Sequence, residues 1–142
     1  MKGSAKGRYG LQLMVDLAHQ TGRGPQLVDA IATRQALPPK FLRVLLGSLK
    51  AAGLVKVQRG PSGGCELARR PSHISVLEVL EALEGRLGSE TLPADATPGA
   101  RAVRELWSRS IEAARGVLRG ATLADLAARQ HALEVDSHGY SI

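Results

Sequence analysis

The order of segments over residues 27–69 constrains this chain more than any other feature. Leu27 to Gln35 predicts a short helix with Leu27, Ala30 and Ile31 on one side. Leu37-Pro38-Pro39 makes a tight turn, and Pro39 to Ala52 predicts a second helix. Proline suits the first helical position because its missing N–H would have no partner there, and Gly53 supplies a left-handed stop. Phe41, Leu42, Leu45, Leu46 and Leu49 form the apolar stripe of the second helix, and Lys40, Arg43, Val44, Gly47 and Lys50 fall on the opposite side. Two short helices, a three-residue turn and a basic outer face are the parts of a helix-turn-helix. Gly47 costs about 1 kcal/mol of helix stability relative to alanine; a close approach to another surface and a tight core contact account for it equally. Leu54–Arg59, Gly60–Gly64 and Cys65–Arg69 then read as strand, turn and strand, a hairpin in the place of a wing. The glycines at its tip do not match a P-loop, which needs Gly-Lys-Ser/Thr after them and a helix beyond.

The flanking segments read as helices. Leu11, Met14, Leu17 and Ala18 recur at helical spacing over residues 7–19, with Arg8, Gln12 and Asp16 elsewhere, and the glycines and proline of Thr21–Pro25 end the run. Ser75 and Glu78 hold capping-box positions for a helix through Glu84, striped by Ile74, Leu77, Leu80 and Leu83. Residues 86–99 lack periodicity and read as a loop. The longest helix, about Ala100 to Arg119, repeats Val103, Leu106, Trp107, Ser110, Ile111, Ala114, Val117 and Leu118 at 3/4 spacing. So small a domain has little core left for that stripe to cover. Self-association into a symmetric dimer would bury it; a helix folded back on its own domain is the alternative. Thr122, with Asp125 three residues on, caps a last short helix, and a frayed tail is expected after Gln130. The expected class is mainly α with a small β-hairpin wing: a winged helix-turn-helix over 1–85, a loop over 86–99, a dimerisation helix and short terminal helix over 100–130, and a tail over 131–142.

Charge and composition narrow the function. The net charge is +6. Residues 1–70 hold twelve Lys/Arg against three Asp/Glu, and residues 71–142 seven against ten, so a polyanion would be drawn to one end only. Aromatic residues make up 3% of the chain, too few for a stacking platform for single strands. Arg59 stands at the mouth of the wing tip, where low bulk admits a guanidinium to a narrow A·T-rich minor groove. No run approaches the ~18 apolar residues of a membrane helix, no secretory signal is visible, and a single cysteine, Cys65, fits a reducing cytoplasm. Paired nucleophile and base, dinucleotide fingerprint and metal motif at helical spacing are all missing, so an enzyme is not expected. His131, Glu134, Asp136 and His138 could gather a metal, but their place in a tail reads as solvated side chains. A redox role for Cys65 would need an exposed, activated thiolate; a buried small hydrophobe is the other reading.

Several stretches together resemble the Rrf-two family of winged-helix transcriptional regulators. They are Lys6-Gly7-Arg8-Tyr9 opening the first helix, Ile31 to Gln35 with Leu42 and Leu45, Gly53-Leu54-Val55 entering the wing, and Arg59-Gly60-Pro61-Ser62-Gly63-Gly64 at its tip. Ile74 through Glu84 is similar to the family's linking helix and Thr122-Leu123 to its final one. The resemblance implies a homodimer on a palindromic operator in double-stranded DNA, each recognition helix in the major groove and each wing in the neighbouring minor groove. Arg59 would read the minor groove, with Gly60, Ser62 and Gly63 of the tip contacting DNA beside it. Lys40, Phe41, Arg43 and Val44 would face the major groove, Arg43 taking a guanine or a phosphate, and Lys6 and Arg8 would hold phosphates. Cluster-binding members carry three cysteines before the dimerisation helix, whereas residues 86–104 here contain none. A cluster needs several such ligands, so no cofactor is expected, and control would come from a protein partner or a small molecule beside residues 86–98. The rival reading is a winged-helix module that docks on an acidic protein without DNA.

Overall fold

The computed structural model describes residues 5–61, 63–88 and 97–139. Among the described residues, six helices and one hairpin follow in the order α1 Ala5–His19, α2 Val28–Gln35, α3 Pro39–Ala51, β1 Val55–Gln58, β2 Gly64–Leu67, α4 Val76–Glu84, α5 Pro98–Gly120 and α6 Leu123–Gly139. A 3₁₀ turn over Pro71–His73 joins β2 to α4. Among the described residues no helix is long and apolar enough to cross a membrane.

α1 is the axle of the domain and packs against α2, α3, α4, α6 and β2. Leu13, Met14 and Leu17 of α1 meet Ile31, Leu42, Leu45, Leu49, Ile74, Val79, Leu83 and Leu123 in one core. Helices on so many sides leave α1 almost no solvent face, and the single-stripe reading of its sequence is corrected in two places. Leu13 is fully buried, and Asp16, expected on an outer side, is 1% exposed.

At Gly10 the close approach of α1 to α4 requires glycine, since a Cβ there would collide with the Leu83 side chain. Leu83 is itself buried in the core, so it has little room to move. Gly10→Ala is expected to destabilise the protein by about 1 kcal/mol, overpacking of about 1–3 kcal/mol outweighing the helix-propensity gain. Urea denaturation measures it, and a stabilised variant would show that the two helices can part.

The predicted local signals at the helix starts are present. Ser75 Oγ accepts from the Glu78 N–H at 3.1 Å while Glu78 accepts from the Ser75 N–H at 3.0 Å. Thr122 and Asp125 exchange the same pair of bonds at 2.9 and 3.2 Å. The two capped starts lie side by side: Val76 N–H donates to Ala121 O at 2.9 Å and Leu123 N–H to Ile74 O at 3.0 Å.

Three helix boundaries among the described residues differ from expectation by two residues or more. α1 begins at Ala5 rather than at residue 7. α5 begins at Pro98 rather than Ala100, because Thr97 Oγ1 accepts from the Ala100 N–H at 3.0 Å and Pro98 takes the first turn. α6 continues to Gly139, through residues expected to form a tail. Gln130 Nε2 donates to Glu134 Oε1 at 3.1 Å and Gln130 Oε1 accepts from Gln35 Nε2 at 3.3 Å, while Glu134 also reaches His19. Polar contacts to α1 and α2 thus carry this helix where apolar periodicity gave no signal.

Candidate nucleic-acid interface

The turn between α2 and α3 is Ala36-Leu37-Pro38, and α3 starts at Pro39 as expected. Leu42, Leu45, Leu46 and Leu49 are buried, which fixes the rotation of α3 and turns Lys40, Arg43, Val44, Gly47 and Lys50 outward. Val44 is 65% exposed. A Cβ at Gly47 would meet nothing within 4 Å, so a tight core contact does not explain that glycine. Pro38 offers α3 no side-chain cap, and the first N–H groups of an uncapped helix are suited to phosphate oxygens.

Phe41 departs from the groove-facing position implied by resemblance. Its ring is half-buried and meets Tyr9 edge-on, centroids 5.6 Å apart. The contact joins the start of α3 to the start of α1, so exposed Lys40 and Arg8 flank the touching pair, with Lys6 also exposed one turn away. Arg43 is tethered: its Nη2 donates to Asp29 Oδ1 at 2.9 Å. Both side chains are more than half exposed, and such a surface pair is worth little, so it can yield to a stronger anionic partner.

In the wing, Val55 pairs with Leu67, Lys56 with Glu66, Val57 with Cys65 and Gln58 with Gly64. Arg59 and Gly60 are exposed at the tip, while Ser62 lies outside the described residues. Gly63, expected on the DNA-facing tip, is buried beneath it, its N–H donating to Gly60 O at 2.9 Å. β2 of the wing is bolted to the segment before α2, because Gln26 and Cys65 exchange backbone hydrogen bonds at 2.8 Å. This seam requires glycine at position 64, where φ is +150° and a Cβ would stand 2.6 Å from Gln26 O. The glycines therefore serve the closure of the wing as well as its low bulk.

Cys65 is 1% exposed and its thiol donates to Gln26 O at 3.3 Å. Burial, with the charge of Asp16 adding to it, pushes the thiol up to about 11. That corrects the redox candidacy: the sulfur is neither accessible nor ionised near neutral pH.

Sequence reasoning missed the ion pair beneath the helix-turn-helix. Arg34 Nε donates to Asp16 Oδ1 at 3.0 Å and Nη2 to Oδ2 at 2.7 Å, and Gln35 Nε2 adds a third bond to Oδ1 at 3.2 Å. The fork locks α2 to α1. A charged residue predicted off the apolar stripe gave no cue to it.

The predicted association stripe on α5 divides in two. Ile111, Ala114 and Leu118 are half-buried, with Gly88 close over Ile111. Arg115 anchors this side through Glu81 Oε2 and Leu87 O, both at 3.2 Å. Val103, Leu106, Trp107 and Val117 are between 55% and 73% exposed, and Ser110 is exposed and donates back to Leu106 O at 3.0 Å. No α5 residue is fully buried.

A helix-turn-helix with a basic, solvent-facing second helix and an adjoining wing defines a winged-helix DNA-binding transcription regulator. A family model described as Rrf2, iron-dependent transcriptional regulator, matches residues 3–129. The chain belongs to the Rrf2 family. It is 41% identical over 127 residues to the HTH-type transcriptional regulator CymR of Bacillus subtilis, covering 89% of this chain and 90% of that protein. The solved structure of CymR, described as the global cysteine regulator of B. subtilis, superposes with a TM-score of 0.82 at 40% identity, covering 91% of this chain and 98% of that one. The IscR structure from T. potens gives 0.74 at 34% identity, covering 100% and 92%. These relatives are transcription regulators, not enzymes.

The family description raises iron, and the donor set here does not fit an iron–sulfur cluster. A cluster is held by several thiolates, whereas the chain has one cysteine, and its sulfur is buried on β2 of the wing and committed to Gln26 O.

Proposed function

We propose that the chain is a homodimeric regulator of a palindromic operator, reading it with α3 in the major groove and Arg59 of the wing in the minor groove, without an iron–sulfur cluster. The rotation of α3 carries this reading: four buried leucines hold Lys40, Arg43, Val44 and Lys50 outward. Lys6 and Arg8 bind phosphate beside Lys40, and Arg43 leaves Asp29 for a base edge or a phosphate. Phe41 and Gly63 act indirectly, the one fixing the start of α3 and the other closing the tip. The exposed part of the α5 stripe supports association of two chains, which would set two α3 helices at the spacing of operator half-sites.

Sequencing of genomic fragments selected by the purified protein tests the proposal, and a recovered palindrome is expected. Arg59→Ala is expected to weaken operator binding about tenfold and to relax the preference for A·T pairs under the wing. Unchanged affinity and preference would remove Arg59 from the interface. Recovery of fragments without a shared sequence would favour a protein-docking role for the basic face.

A further inference from the structure

The extension of α6 brings three metal-capable side chains together at the C-terminal end of α1. His19 is the last residue of α1, and His131 and Glu134 lie three apart on α6, a spacing that puts both on one helix face. One nitrogen from each imidazole and one carboxylate oxygen lie within 4.8 Å of one another. The imidazole rings are 6.0 Å apart and tilted by 34°.

Hydrogen bonding leaves His19 poorly satisfied. Its Nδ1 is buried with no hydrogen-bond partner among the described residues, so Nε2 is the ring nitrogen that faces the cluster. Its Nε2 stands 3.4 Å from Glu134 Oε2, longer than the usual N–H···O bond. That separation matches the span of about 3.3 Å between two ligands of one tetrahedral metal with bonds near 2.0–2.1 Å. The carboxylate is also oriented from outside. Gln130 Nε2 donates to Glu134 Oε1 at 3.1 Å, and Gln130 accepts from Gln35, which in turn donates to Asp16. Outer hydrogen bonds of this kind orient the ligands of metal sites.

From this geometry we infer that His19, His131 and Glu134 bind a divalent first-row transition-metal ion that clamps α6 onto the end of α1. Two imidazoles and one carboxylate suit zinc and ferrous iron alike. Three protein ligands leave at least one position open to water, and exposed His131 and Glu134 give the ion an entry path. His131 and Glu134 belong to the group seen in the sequence, but their third partner is His19 from the other end of the chain. Asp136 is exposed and outside the cluster, and the side chain of His138 lies outside the described residues. The inference is independent of the reading of the DNA interface.

Tag-free protein stripped with a chelator and titrated with Zn2+, and separately with Fe2+ under anaerobic conditions, tests the site. Saturable uptake of one ion per chain is expected for at least one metal, with a rise in Tm, and the two arms tell which ion is preferred. His131→Ala and Glu134→Gln, both at exposed positions, are each expected to weaken uptake by more than about 100-fold with unchanged helical circular dichroism. Gln130→Ala, which removes only the orienting bond, is expected to weaken it about tenfold. Absence of saturable uptake of both metals, or uptake unaltered in the His131 and Glu134 variants, would overturn the site.

Discussion

Arg34→Ala is expected to destabilise the protein by about 3 kcal/mol, a large share of the 5–15 kcal/mol that typically separates folded from unfolded domains. The expectation follows from which partner is left behind. Asp16 is 1% exposed, and its carboxylate depends on the guanidinium fork for two of the three side-chain bonds it accepts. Removal of arginine strands that charge in the core. The figure is set at the low end of the range for broken buried pairs because Arg34 is 34% exposed and its side of the pair is partly screened. Arg34→Lys keeps the charge but not the two parallel donors, so it is expected to fall between. A double variant with Asp16→Asn should recover part of the loss. The urea midpoint at fixed protein concentration, with the slope unchanged, measures all three. A loss below about 1 kcal/mol for Arg34→Ala would mean that Gln35 and water suffice for Asp16.

Asp16 also marks where the sequence stops being informative. A helical stripe reveals which side of a helix is apolar, and for α3 that was enough: it has one buried side and one wet side, and its start and outward residues were legible. On α4 the capped start was legible, but Val76 and Val79, off the predicted stripe, are buried and Leu80 on it is half-buried. α1 is wrapped on nearly every side, so a polar residue off its stripe is still interior, and only the distant Arg34 makes that tolerable. The same limit applies at the other end of α6. Its second half is met by Gln35 at Gln130 and by His19 at Glu134, partners from the first two helices, and no local pattern in α6 encodes contacts so remote in sequence. Phe41 was ambiguous for a different reason. Its place at the edge of the α3 stripe allows either the groove or the core, and the choice was made by Tyr9 on another helix.

The exposed side of α5 supports the second large expectation. Val103, Leu106, Trp107 and Val117 present apolar surface although the core beneath α5 is already closed without them. Full burial of each is worth about 1.5–3 kcal/mol, and in a two-fold interface every residue is buried twice, once on each chain. Replacing Leu106 and Trp107 together by glutamate is therefore expected to convert the proposed dimer to monomers at micromolar concentration, as read by analytical ultracentrifugation. The variant should keep its helical content, because both side chains are more than half exposed within the single chain. Operator affinity should drop about 100-fold or more, since two linked half-site contacts gain about that factor over one. A variant that remains dimeric would place the association surface elsewhere. A monomeric variant that still binds the full operator with wild-type affinity would mean that each winged helix acts alone, and that the α5 surface serves some purpose other than pairing α3 helices on DNA.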